Sequence, residues 1–221
     1  MNDIEKNYHN TIHSIDQILK KHSLVNSKLE IIAVSKKKSV DDIQKIINAG
    51  HRSFGENQIQ EVELKWPQLK LNFPDIRLHF IGSIQSRKIK TICQHSDVIH
   101  SIDREKIIKI ISELPDIGLR VPELFLQVNV GLESQKSGVI PNEVSDFLHM
   151  SKNKYDINIS GLMCIPPADD YSGHYFKQLS DIAKINNIHK LSMGMSSDYE
   201  EAIQKGATHV RIGTSIFGLR P

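Results

Sequence analysis

Eight short β-branched or apolar runs, separated by stretches whose apolar residues fall three or four apart, constrain this chain more than any other feature. The runs are 30–35, 52–55, 78–83, 97–102, 124–130, 158–165, 190–195 and 209–214. Between them lie amphipathic segments such as Ile43, Ile46 and Ile47 before Gly50, and Ile107, Ile108, Ile111 and Leu114 before Pro115. Period two reads as strand and period three to four as helix. Ser39 or Asp41 is placed to cap one helix that Gly50 ends, and Asp198 another that Gly206 ends. Strands alternating with helices predict a parallel sheet, because parallel neighbours need a crossover that a helix supplies. An open doubly wound sheet is the competing arrangement. Eight units in 221 residues, with nothing left for a second domain, favour a single α/β domain over 1–221 closed as a (β/α)8 TIM barrel. An extra N-terminal helix within 1–22, about 4–21, is expected to cover the barrel floor or side.

Composition narrows the function. Hydrophobic residues make up 39% and charged residues 24%, which excludes a disordered or collagen-like chain. A net charge of +2 gives no sign of a polyanion-binding face, so nucleic acid is not an expected partner. Cys93 and Cys164 are too few for a disulfide framework or a four-cysteine zinc site, and reduced thiols suggest the cytoplasm. The first ten residues carry Asp3, Glu5 and Lys6 where a secretory signal needs an apolar core, and no run of 18 apolar residues predicts a membrane span. His9 and His13 have the i, i+4 spacing of a metal pair, but the residues around them are polar and suggest no third ligand, so a solvated helix face is expected and no metal. The loop 165–173, with Pro166, Pro167 and Asp170, is long enough to act as a lid.

In a (β/α)8 barrel, chemistry sits at the carboxyl ends of the strands. The seventh and eighth strands end in Gly194 to Ser197 and Gly213 to Ser215, small residues and hydroxyls beside helix starts. Such turns, at the strands where barrels commonly hold phosphate, form a phosphate cradle. The first strand ends in Lys36, Lys37 and Lys38. Period two sends Ile32, Val34 and Lys36 one way and Ala33, Ser35 and Lys37 the other, without saying which faces inward. A desolvated lysine beside two other cations has a depressed pKa and can form a Schiff base with an aldehyde, whereas a solvated lysine loop has no such role. Walker-type, dinucleotide-fingerprint, zinc-protease and nucleophile-elbow motifs are absent.

The segments Ala33-Val34-Ser35-Lys36, Phe54-Gly55-Glu56-Asn57, His79-Phe80-Ile81-Gly82, Gln127-Val128-Asn129, Lys136-Ser137-Gly138, Gly161-Leu162-Met163, Ser192 to Ser196 and Val210-Arg211-Ile212-Gly213-Thr214 together resemble the pyridoxal phosphate homeostasis protein family, the YggS/PROSC group. The resemblance runs from about residue 30 to the C-terminus. It implies a barrel like the N-terminal domain of alanine racemase, binding pyridoxal 5'-phosphate (PLP) with Lys36 as the Schiff-base lysine. It also implies that Ser196, Gly213 and Thr214 surround the phosphate, that Arg211 faces the pyridine nitrogen, and that Asn57, His79 and Met163 line the pocket. Ser39, Leu78 and Arg87 depart from the family pattern, at no cofactor contact; the last puts in doubt any family-wide surface role for its segment.

Arginine carries no acceptor, so Arg211 would keep the pyridine nitrogen unprotonated and weaken the ring as an electron sink. A racemase needs a second base, and seven residues after Thr214 leave no room for a further domain to bring one. The reading is therefore a carrier or regulator of PLP without robust turnover or catalytic residues. A monomer in transient contact with PLP-dependent enzymes is expected. The alternatives are a PLP-dependent racemase or decarboxylase using Tyr171 or Tyr175 as base, and a cofactor-free Schiff-base aldolase built on Lys36.

Overall fold

The computed structural model describes residues 3–24, 28–168 and 171–218. Its eight strands are β1 (Glu30–Val34), β2 (Ser53–Glu56), β3 (Arg77–Phe80), β4 (Val98–Ile102), β5 (Glu123–Gln127), β6 (Gly161–Met163), β7 (Lys190–Met195) and β8 (His209–Ile212). All neighbours are parallel, and β1 pairs with both β2 and β8, so the sheet closes in sequence order and excludes the open doubly wound alternative. Each run read as a strand supplies one, usually shortened at its carboxyl end, where the chain turns out of the sheet to build loops.

The crossover helices are α2 (Val40–Asn48), α3 (Ile59–Asn72), α4 (Ile89–His95), α5 (Glu105–Ser112), α6 (Val144–Tyr155), α7 (Ser172–Ile185) and α8 (Tyr199–Gln204). Ser39 caps α2 as expected, its Oγ accepting the Asp42 N–H. Asp198 does not cap α8 with its side chain; Oδ1 instead accepts the Met195 N–H at 2.6 Å, closing the turn after β7. The helix following β8, α9 (Thr214–Phe217), is one turn long and leaves the outer layer thin there. The N-terminal helix α1 (Asp3–Lys21) fills that gap, so it covers the side of the barrel rather than its floor. Its buried stripe of Tyr8, Thr11, Ile15 and Ile18 follows the helical period, and Thr11 Oγ1 donates to the Ser215 carbonyl on α9.

Inside the barrel, the first residues of the odd-numbered strands make one layer of charge at the amino end. Arg77 pairs with both Glu30 and Glu123, and Lys190 pairs with Glu123. Above it, His79, His100, Phe125 and His209 stack with ring centroids 4.5 to 6.3 Å apart. Val98, Phe125 and Met163 form an apolar cluster of their own, separate from the core shared by the helices and the outer strand faces. These residues plug the barrel, so the carboxyl end is the face left for a site. Among the described residues no helix is long and apolar enough to cross a membrane.

Candidate functional site

A cavity of about 910 Å³ opens at the carboxyl end, lined by Lys36, Asn57, Ser196, Arg211, Gly213 and Thr214 among others. Six of the eight residues expected at the site therefore line one cavity. His79 and Met163 do not line it. Both point into the barrel, as their parity requires, but a layer too deep: Met163 is buried against Val98 and Phe125, and His79 is fully buried among the other histidines.

Lys36 reaches the cavity from a turn rather than from the strand. The Lys38 N–H donates to the Ser35 carbonyl at 3.0 Å, and Lys37 takes a left-handed φ of 60°, so the two-residue alternation ends before the lysines begin. Ser35 is buried beneath the turn, Lys37 is exposed and Lys36 faces the cavity. The third lysine is committed elsewhere, its Nζ donating to the Phe217 carbonyl at 3.0 Å.

On β8, the neighbour of β1, Arg211 is 4% exposed and also lines the cavity. Nη1 donates to Ser192 Oγ at 2.8 Å and Nη2 to the Cys164 carbonyl at 2.9 Å. Burial lowers its pKa below the usual arginine value, yet a guanidinium remains a cation. Both of these hydrogen-bond partners are neutral, so a buried positive charge lines the cavity, an arrangement that favours an anionic or strongly accepting ligand.

The cradle forms between the two last strands. Gly194, with φ of 91°, breaks the register of β7 one residue before the strand ends, and a Cβ there would come within 2.5 Å of Ala202 Cβ. That break brings Ser196 under the β8 turn, where its Oγ accepts the N–H groups of Gly213 at 3.3 Å and Ser215 at 3.4 Å. Both are long hydrogen bonds, which a phosphate oxygen with more charge would outcompete. Directly after β2, Asn57 Oδ1 is buried without a hydrogen-bond partner, an acceptor that a ligand hydroxyl would satisfy. Gly82 permits this placement, because a Cβ on it would lie 2.0 Å from the Asn57 carbonyl oxygen.

Tyr171 and Tyr175 line no part of the cavity. Tyr171 donates its hydroxyl to Glu201 at 2.6 Å, a bond that raises its pKa and keeps the phenol protonated. Of the expected lid, residues 169 and 170 lie outside the described residues. Ile165, at its start, lines the cavity. The histidine pair of α1 stands apart from the site; His13 Nε2 is bonded to Gln17 Nε2, and among the described residues no group of three candidate ligands could hold a metal ion.

Residues 8–221 match the family model for the alanine racemase N-terminal domain. The chain is 36% identical over 230 residues to the pyridoxal phosphate homeostasis protein of Vibrio cholerae, covering 100% of this chain and 98% of the relative. It is 40% identical over 195 residues to the protein of the same name from Pseudomonas aeruginosa, covering 86% and 84%. Among solved structures it resembles PipY of Synechococcus elongatus with PLP bound, at 30% identity and a TM-score of 0.75, covering 92% of this chain and all of that one.

Proposed function

Because the chain belongs to the pyridoxal phosphate homeostasis protein family, we propose that it binds PLP through Lys36 and serves as a carrier or regulator of the cofactor rather than as an enzyme. The observation that carries this reading is one cavity whose wall combines a lysine amine, a hydroxyl-and-amide cradle and a buried guanidinium. When bound, PLP supplies an electrophilic aldehyde and an electron-withdrawing ring. Lys36 Nζ would hold the aldehyde carbon. Ser196 Oγ, the Thr214 hydroxyl and the amides of Gly213 and Ser215 would bind the phosphate, and Asn57 would accept from a ring substituent. Arg211, a donor with no proton-accepting atom, would hold the ring nitrogen as an acceptor and keep it unprotonated.

That last role separates carrier from catalyst. An acidic partner at the ring nitrogen would make a strong electron sink, and Arg211 supplies the opposite. The racemase alternative also needs a base at the cavity, and Tyr171 is bonded to Glu201 instead. A cofactor-free aldolase accounts for Lys36 and the cradle but gives Arg211 no acceptor. Cys93 and Cys164 are buried free thiols, which supports a reducing compartment, and we assign the protein to the cytoplasm, where PLP-dependent enzymes in transient contact would receive the cofactor.

Titrating the purified protein with PLP, followed by visible absorbance, tests the cradle. Ser196→Ala and Thr214→Val should each weaken retention by about 1–3 kcal/mol, the range for losing a hydrogen bond to a charged group, with folding nearly intact. Unchanged PLP dissociation in the double variant would place the phosphate elsewhere. The same loaded wild-type protein should racemise alanine negligibly, and multiple-turnover racemisation lost in Lys36→Ala would replace the carrier reading by the enzyme.

A further inference from the structure

Behind the turn that presents Lys36 lies a buried charge network that the cavity itself does not use. Glu56, the last residue of β2, is fully buried, and its Oε1 accepts from Ser35 Oγ at 2.7 Å and from Trp66 Nε1 at 3.3 Å. Lys65 of α3, also buried, brings Nζ to 2.6 Å from the same oxygen. That ammonium donates to the Ser35 carbonyl at 3.2 Å and to Glu61 Oε2 at 2.8 Å. Glu61 Oε2 in turn accepts the Lys37 N–H at 2.7 Å. The two peptide units that flank the Lys36 Cα, 35–36 through its carbonyl and 36–37 through its amide, are thus both held by one i, i+4 pair on α3.

Stability alone is a poor reason for this arrangement. Ile59, Val62, Trp66 and Leu69 make the buried face of α3 otherwise apolar, and an apolar residue in place of a buried ion pair is often as stable or more so. Glu56 Oε2 is moreover left without a partner. What the network does accomplish is local: Lys37 sits at φ 60°, a conformation that an L side chain adopts at a cost of roughly 1–2 kcal/mol, and a charge-assisted bond from its own N–H offsets that strain. We propose that Glu61 and Lys65 are positioning residues that fix the 35–38 turn, and through it decide which of three consecutive lysines presents its amine to PLP. This rests on the PLP-binding reading above. Glu56 completes the device by keeping the Lys65 ammonium in place and holding Ser35 beneath it.

Two variants release the turn without leaving a lone charge in the core. Glu61→Ala removes the link to Lys37 at a partly exposed position, and Glu56→Gln with Lys65→Met removes both buried charges together. Each is loaded with PLP, reduced with borohydride, digested and read for pyridoxyl at Lys36, Lys37 and Lys38, with the PLP Kd and melting temperature measured alongside. Lys177→Met, which breaks an exposed i, i+4 pair on α7, is the control. In wild type and control the label should lie on Lys36 alone. In both test variants it should spread to Lys37 or Lys38 and the Kd should rise about tenfold, equivalent to about 1.4 kcal/mol. Glu61→Gln, which keeps an acceptor for the Lys37 N–H, should restore the wild-type distribution. Label confined to Lys36 with an unchanged Kd in Glu61→Ala would overturn the proposal, as would losses that follow melting temperature alone across all variants. Wild-type protein without label on Lys36 would overturn the PLP-binding reading instead.

Discussion

Lys36 and Lys37 are adjacent and chemically identical, yet one lines the cavity and the other is exposed. Alternation along β1 separates them, but it cannot say which side is inward, and it ends at the turn where Lys37 becomes left-handed. A β-branched side chain is least tolerant of that conformation. Lys37→Val should therefore lower the unfolding free energy in urea by about 1–2 kcal/mol, while Lys37→Gly should not lower it. Equal losses in both would mean that the backbone there is not what resists substitution. The cradle was legible as residues because Gly194, Ser196, Gly213 and Thr214 cluster at the two last strand ends. Depth was not: His79 and Met163 have the inward parity of pocket residues, and only the stagger between strands determines that they lie beneath it. Lys65 was not recognised either, because a lysine on a helix reads as solvated unless its neighbours Val62, Trp66 and Leu69 are seen to bury that face.

At the level of elements, the eight strands were legible because buried parallel strands require continuous β-branched and apolar runs, and the strand order follows once consecutive units close a barrel. The roles of α1 and Asp198 were less so. A helix outside the repeat has no partner written into its own sequence, and α1 finds its place only because α9 is a single turn. Asp198 looked like a cap by position, but the break at Gly194 brings the Met195 N–H to its carboxylate first. Since α1 braces α9, which begins at Thr214, its packing should be felt at the cradle. Ile15→Ala, at a site 1% exposed, should cost about 2–4 kcal/mol in urea unfolding and also weaken PLP retention. Lost stability with unchanged retention would show that α9 holds the cradle without α1.

Across the whole molecule, the barrel interior makes stability depend on pH. The histidines pack around one carboxylate: His100 Nε2 shares a 2.9 Å hydrogen bond with His79 Nδ1, while His79 Nε2 and His209 Nε2 lie 3.0 and 3.1 Å from Glu30. Burial holds His79 and His100 below their ordinary pKa. Burial also takes His51, beneath α1, down to about 4. Burial would raise Glu30, but hydrogen bonds from His209, His79 and Ser53 outweigh it and hold its carboxyl well below the usual range. All these folded-state values are depressed, so the unfolded chain binds more protons in acid. The histidine contribution is fully present above about pH 6.5 and is lost as pH falls towards 4, with roughly 3 kcal/mol from His51 alone. The Glu30 contribution persists to lower pH and is lost as its depressed pKa is approached. Urea unfolding between pH 7 and 4 should show this decline, and His51→Gln should flatten it; a flat wild-type profile would contradict the depressed pKa values of His51, His79 and His100. The central claim is that this barrel holds PLP on one particular lysine, and the mass of the borohydride-reduced, digested protein tests it most directly. The account predicts one pyridoxyl group per chain, on Lys36 and absent from Lys36→Ala, whereas label on any other lysine, or none, would contradict it.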